Sequence, residues 1–345
     1  MAQSNETEGL LPLCRDVVFP VKAVKSIEGE FSLENYDLNV LFGWASREVL
    51  RDGEYEISAR LCEPASGIER KEMLQLLIHG ATFNKVMWDF PYKPETYSWT
   101  RFMTAAGYTT LAIDLVGNGN SSKPDGLFEA QTGTFIQTVH QVIETIRADE
   151  TALGRTFDKI AIVGFSIGAI VANSIADRYP SDADAIVLLG ITWDLAWIYP
   201  AFLTGMQTAA NLVDPERWGD LDGWYQTQPT RATRRLACFA GDFEEGAVQT
   251  DFETRDIDTF GTAVTFTYHL VTAPQYVGPV FLGLGKDDST FCPRTCGIEP
   301  YKVYTQFPKA KEHMVKVYPN TGHALMYHRV APVLFADCRE FLDAF

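Results

Sequence analysis

The sequence predicts an α/β protein built on a mostly parallel sheet flanked by helices, and three observations carry that prediction. Lys159-Ile-Ala-Ile-Val-Gly-Phe-Ser-Ile-Gly-Ala169 is an apolar run that passes directly into a helical pattern. Val280-Phe-Leu-Gly-Leu-Gly285 is a second short apolar run without polar alternation, the mark of a strand covered on both faces. Between such runs lies Gly133–Ala148, with Phe135, Ile136, Val139, Val142, Ile143 and Ile146 on one helical face, which suits a crossover beside a parallel sheet.

Taken in order, 17–24 and 55–62 show β-rich alternation and are predicted to open the sheet as antiparallel strands. The stretch Ile27–Gly53 between them is irregular and carries Phe31, Tyr36, Phe42 and Trp44. Leu74-Gln-Leu-Leu-Ile-His-Gly80 and Leu111-Ala-Ile-Asp-Leu115 read as buried strands, followed by the helix at 133–148 and the strand that ends near Gly164. Gly168–Tyr179 continues as a helix, Ala185–Ile191 as a strand, and His313–Pro319 alternates like another strand. Val330–Phe345 closes the chain as a helix with Leu334, Phe335, Phe341 and Leu342 inward.

The chemistry centres on Gly164-Phe-Ser-Ile-Gly168. A serine between strand and helix sits on a sharp turn, and only very small residues two positions away on either side let the flanking elements approach. The turn lifts the Ser166 hydroxyl clear of the sheet, and the helix N-terminus offers N–H groups to a developing oxyanion. Such a serine needs a base and a carboxylate to orient it. His323 lies on the loop Asn320-Thr-Gly-His-Ala324, just past the 313–319 strand. Asp287 and Asp288 both follow the strand that ends at Gly285, and Asp194 follows the strand 185–191, so three carboxylates compete for the role. His328 is the nearest rival to His323 and reads as a helix-start residue. His79 and Asp114 read as loop braces at strand ends, while His140 and His269 have no neighbours that suggest a role.

In this order, Ser166, then Asp288, then His323, the chain resembles the α/β-hydrolase superfamily from about Asp16 to its C-terminus. The turn His79-Gly80 resembles that family's third strand and oxyanion loop, and Asp114-Leu-Val-Gly-Asn-Gly-Asn-Ser121 resembles its next loop, with Asn118 where many members have histidine. Ile78–Asn84 and Asp288–Cys292 look most like filamentous-fungal members associated with natural-product pathways. The resemblance implies an eight-stranded, mostly parallel sheet, with a core at 1–192 and 280–345 and a helical cap inserted at 193–279. It also favours Asp288 over Asp287 and Asp194, because members commonly place the acid three residues after the strand-ending glycine. The implied oxyanion donors are the backbone N–H of Ile167 and one from Ala81 or Thr82.

The 193–279 stretch is rich in aromatic residues, of which Trp193 and Trp197 lie nearest the strand end and are expected to reach the pocket. They point to a hydrophobic small-molecule substrate. The chemistry that follows is serine acyl transfer to water on an ester, lactone or thioester, with no metal and no cofactor. A non-hydrolytic step on the same scaffold, such as cyclisation, condensation, C–C cleavage or acyl transfer to an alcohol, is the alternative, and a ligand receptor is a third.

Composition sets outer bounds. With 345 residues, 46% of them hydrophobic, the chain can form one large core and an insert as a monomer or homodimer. A net charge of −16 argues against nucleic acid or an anionic membrane as partner, since both would repel it. Residues 1–9 carry no basic segment, Leu10–Cys14 is short and broken by Pro12, and no apolar run reaches spanning length, so a cytoplasmic protein is expected. Six cysteines without a C-x-x-C pair are expected to be reduced, mostly buried thiols.

Overall fold

The computed structural model describes residues 11–23, 52–148, 150–194, 205, 207–292 and 296–345. Trp197 and nearly all of the irregular 27–53 stretch lie outside the described residues. The main sheet comprises β1 (Leu13–Ala23), β2 (Gly53–Glu63), β3 (Met73–Ile78), β4 (Thr109–Ile113), β5 (Lys159–Phe165) and β6 (Ala185–Leu189), closed by β10 (Val280–Gly285) and β11 (His313–Tyr318). Its order is β1-β2-β4-β3-β5-β6-β10-β11. The β1–β2 and β2–β4 pairs are antiparallel and every other pair is parallel, so the sheet is eight-stranded and mostly parallel.

Side-chain alternation divides the core into two layers. Along β5, Ile160 and Ile162 face one way, while Ala161, Val163 and Phe165 face the other, and β6 splits likewise. The first face packs against the helices 132–148 and 167–178. The second is covered by the helices 99–105 and 331–343, the latter burying Leu334, Phe335, Cys338, Phe341 and Leu342. Because both faces are covered, β3 to β6 and β10 are buried along nearly their whole length, which is why they read as continuous apolar runs.

The chain leaves β3 toward β4 on one side and then crosses to β5 on the other. The strand order therefore reverses between β3 and β5, and in open α/β sheets ligands bind outside the carboxyl ends of the strands at such a point.

The segment between β6 and β10 holds the helices 231–238, 245–254 and 260–265, with shorter ones beside them. It also holds a three-stranded antiparallel sheet of β7 (Thr208–Ala209), β8 (Tyr225–Thr227) and β9 (Asp258–Thr259), where the sequence suggested helices. Strands of two or three residues are too short to show a period.

The cysteine expectation is corrected. Cys14 and Cys62 are opposite each other in the β1–β2 register and form a disulfide, and Cys292 and Cys296 form a second one after β10. Only Cys238 and Cys338 are free thiols among the described residues, and both are buried. Cysteine spacing alone does not reveal strand register, which is what joins Cys14 to Cys62. Disulfides form and persist in oxidising settings, so the cysteines give no support to the cytoplasmic expectation. Among the described residues no helix is long and apolar enough to cross a membrane.

Candidate active site

Ser166 sits between the last residue of β5 and the first turn of the helix Ile167–Arg178, at φ 51° and ψ −116°. The strain at this turn is tolerated because its neighbours lack side chains. A Cβ on Gly164 would lie 2.3 Å from the carbonyl oxygen of Gly168, and one on Gly168 would lie 2.2 Å from that of Ile78. Helix and strand thus touch backbone to backbone. The Ser166 N–H is held by the Leu189 carbonyl at 2.8 Å, which fastens the turn to the end of β6.

The loops after β10 and β11 bring two more groups to this point. His323 Nε2 lies 3.0 Å from Ser166 Oγ, and His323 Nδ1 lies 2.7 Å from Asp288 Oδ2. Asp288 is fully buried, and its other oxygen accepts the N–H groups of Thr290 at 2.8 Å and Phe291 at 3.0 Å. Its carboxylate plane is therefore fixed from both sides. Asp287 is exposed and touches the site only through its backbone, its N–H donating to the Thr321 carbonyl. The structure thus brings Ser166, His323 and Asp288 together, and neither Asp287 nor Asp194 is bonded to the imidazole. The imidazole ring is stacked near Phe291, at 5.8 Å, and tilted against Phe165, at 4.9 Å.

Two buried histidines shape the surrounding loops. His79 Nδ1 donates to the Gly80 carbonyl at 2.8 Å, and its Nε2 accepts the Leu115 N–H at 3.0 Å. Burial lowers its pKa, although Asp114 opposes this, so the ring is neutral and can accept. His328, read from sequence as a helix-start residue, proves to organise the His323 loop. Its Nε2 accepts from Gly322 N at 3.0 Å and Ala240 N at 3.3 Å, and its Nδ1 donates to the Ala324 carbonyl at 2.9 Å. Burial lowers its pKa too, which keeps the accepting nitrogen unprotonated.

The loop after β3 supplies Ala81 and Thr82, and it starts beside the Ser166 turn, because a Cβ on Gly80 would lie 2.7 Å from the Phe165 ring and one on Gly168 would lie 2.6 Å from the His79 carbonyl oxygen. Thr82 is buried and holds φ at 61°. Ile167, at the first turn of its helix, has an N–H with no helical acceptor. Asp114 accepts from Lys85 N and Asn120 N and pairs with the Lys85 ammonium, which makes it a loop brace. Asn118 donates to the Ile257 carbonyl and so ties the β4 loop to the segment between β6 and β10.

Trp193 donates its indole N–H to Asn173 Oδ1 at 3.2 Å and packs edge-on to Phe307, so its described contacts are to the core. The sequence missed Arg234, which is wholly buried and bonded to Thr82 Oγ1 at 2.5 Å. The run Arg231-Ala-Thr-Arg-Arg-Leu236 looks like an exposed basic helix, and nothing in it singles out one arginine. Among the described residues no group of three or more histidines, cysteines or carboxylates is placed to ligate a metal.

A serine turn at the end of a central strand, an acid and a histidine on later strand-end loops, and this sheet order define an α/β hydrolase. The chain belongs to the alpha/beta hydrolase family, whose model matches residues 75–337. Solved structures repeat the fold at low identity. An alpha/beta hydrolase fold protein from Chitinophaga pinensis is 15% identical with a TM-score of 0.56, over 84% of this chain and 94% of that one. A monoglyceride lipase from Saccharomyces cerevisiae, 14% identical, gives 0.57 over 84% and 92%. An epoxide hydrolase from Vigna radiata, 13% identical, gives 0.56 over 84% and 95%. No curated protein sequence matches, and the fungal association rests on the sequence motifs alone.

Proposed function

We propose that the chain is a serine hydrolase that cleaves an ester, lactone or thioester of a hydrophobic small molecule through an acyl-enzyme on Ser166. The observation that carries this reading is the continuous contact from Ser166 Oγ through both nitrogens of His323 to Asp288, at 3.0 and 2.7 Å. His323 Nε2 takes the hydroxyl proton as Oγ bonds to the substrate carbonyl carbon, and the carbonyl electron pair moves onto oxygen. Asp288 accepts Nδ1–H, fixes the tautomer that leaves Nε2 free, and stabilises the imidazolium. Collapse of the tetrahedral adduct expels the alcohol or thiol, which receives the proton from Nε2. A water molecule then repeats the sequence in reverse and releases the acid. The backbone N–H groups of Ile167 and of Ala81 or Thr82 are the proposed donors to the oxyanion, where losing one donor costs about 100-fold or more in rate. A hydroxyl nucleophile with a neutral base suits carbonyl carbon, which is why the reading is acyl transfer.

The test is a fluorophosphonate probe on the full chain, with the adduct mapped by mass spectrometry. Labelling at Ser166 that vanishes in Ser166→Ala and on boiling is the expected result. A folded wild-type chain whose Ser166 stays unlabelled would sink the reading.

A further inference from the structure

Thr82 is a β-branched residue held at φ 61°, in the left-handed region where such side chains are strained. Something outside the loop must hold it there. Its hydroxyl donates to the Ala81 carbonyl at 2.5 Å and accepts from Arg234 Nη1 at 2.5 Å. The Ala81 carbonyl and the Thr82 N–H belong to one planar peptide unit and point in opposite directions. Fixing that carbonyl therefore aims that N–H.

Arg234 is itself held on every side. Its Nε and Nη2 reach the two oxygens of Asp251 at 2.7 and 2.9 Å, Nη1 also reaches Gln228 Oε1 at 3.0 Å, and the guanidinium lies 4.0 Å from the Phe83 ring centre. Arg234 and Asp251 are both 0% exposed, while Leu236 on the same short helix is 59% exposed. Burying an ion pair and exposing a leucine is a poor exchange for stability, since such a pair is often replaceable by apolar side chains without loss. The arrangement makes sense if the fork is needed where it points.

We propose that Arg234, fixed by Asp251, is a positioning residue for the oxyanion donor: through the Thr82 hydroxyl it sets the Ala81–Thr82 peptide so that its N–H faces the Ser166 turn. The inference rests on the acyl-transfer reading of Ser166. It makes the segment between β6 and β10 part of the catalytic geometry, because Arg234 and Asp251 both come from it, and so does Asp256, whose N–H holds the Thr82 carbonyl at 2.8 Å.

The experiment measures fluorophosphonate labelling of Ser166 in the full chain, as maximal rate and half-saturating probe concentration, beside the thermal midpoint, for Thr82→Val, Thr82→Ser and Arg234→Lys. Valine keeps the shape of threonine and leaves the Arg234–Asp251 pair intact, but removes the hydroxyl that links Arg234 to the Ala81 carbonyl. Thr82→Val should lower the maximal rate about 10- to 100-fold with the half-saturating concentration within about twofold. Thr82→Ser, which retains the hydroxyl, should stay within about threefold of wild type. Arg234→Lys should fall about 10-fold, because an ammonium can pair with Asp251 but cannot also reach Thr82 with a planar fork. If Arg234→Lys does not fold, the two Thr82 variants decide alone. Thr82→Val labelling at the wild-type rate, or Thr82→Ser losing as much as Thr82→Val, overturns the inference while the reading of Ser166 stands. A wild-type chain that does not label at Ser166 defeats that reading before any variant is compared.

Discussion

The Ser166 turn and the Ala81–Thr82 loop lie at the ends of two neighbouring strands, yet they are held in different ways. The serine turn is shaped by the core: Gly164 and Gly168 let strand and helix meet, and Leu189 on the next strand fastens the Ser166 N–H. The Thr82 loop is shaped by the segment between β6 and β10, through Arg234 on its hydroxyl and Asp256 on its carbonyl. The His323 loop stands between these cases. Asp288 and His328 hold it from core loops, while the Cys238 carbonyl and the Gly241–Thr321 bridge hold it from the same inserted segment. The difference teaches that the proposed nucleophile and the Ile167 N–H are held by the sheet and its helix, whereas the proposed second oxyanion donor depends on an insert.

The largest effects should come where both kinds of support meet. His323→Ala removes the proposed base, so turnover of a p-nitrophenyl ester, or labelling of Ser166, should fall about 10⁴-fold or more. Asp288→Asn should lower the same rate by about 10³- to 10⁴-fold, because the amide cannot enforce the Nδ1–H tautomer. Asp287→Asn should stay within about twofold, since that side chain is exposed and makes no bond to the imidazole. Equal losses in both aspartate variants would break the assignment of the acid. On the core side, Gly168→Ala forces a Cβ to within 2.2 Å of the Ile78 carbonyl oxygen. It should cost about 3 to 5 kcal/mol in denaturant unfolding, and a variant of wild-type stability would show that the turn has more room than its backbone contacts allow.

The same difference explains what was legible in the sequence. The turn at Gly164–Gly168 is local, so the motif and its flanking periods showed it, and the sheet followed because strands buried on both faces read as apolar runs. Asp288 and His323 were legible through chain order and strand-end position, although the choice between Asp287 and Asp288 needed the resemblance, and the structure separates them by burial. Arg234 was invisible because its partners Thr82 and Asp251 lie 152 and 17 residues away, and helical arginines usually face water. The Cys14–Cys62 disulfide was invisible for the same reason, since it depends on the β1–β2 register. His328 looked like a helix start because it precedes the last helix, yet its ring faces inward onto the His323 loop.

The last prediction, on stability rather than rate, tests whether the inserted segment carries a pH dependence of its own. Asp258 on β9 is buried, one of its oxygens has no hydrogen-bond partner, and burial pushes its pKa up to about 7 against the opposing bonds from Thr259 and Thr262. A carboxyl whose folded pKa exceeds its unfolded one stabilises the fold fully below the unfolded value, and this stability is lost as pH rises through the folded value. The window therefore runs from about 4 to about 7, and the gap between 3.8 and about 7 corresponds to at most about 4 kcal/mol. Asp258→Asn copies the shape of the protonated acid without titrating. Near pH 4 the variant and wild type should unfold at similar denaturant concentrations, and by pH 8 the variant should be more stable by about 2 kcal/mol, less than the full gap because the asparagine amide is also buried. A gain of the same size at both pH values would mean that Asp258 does not titrate across this range.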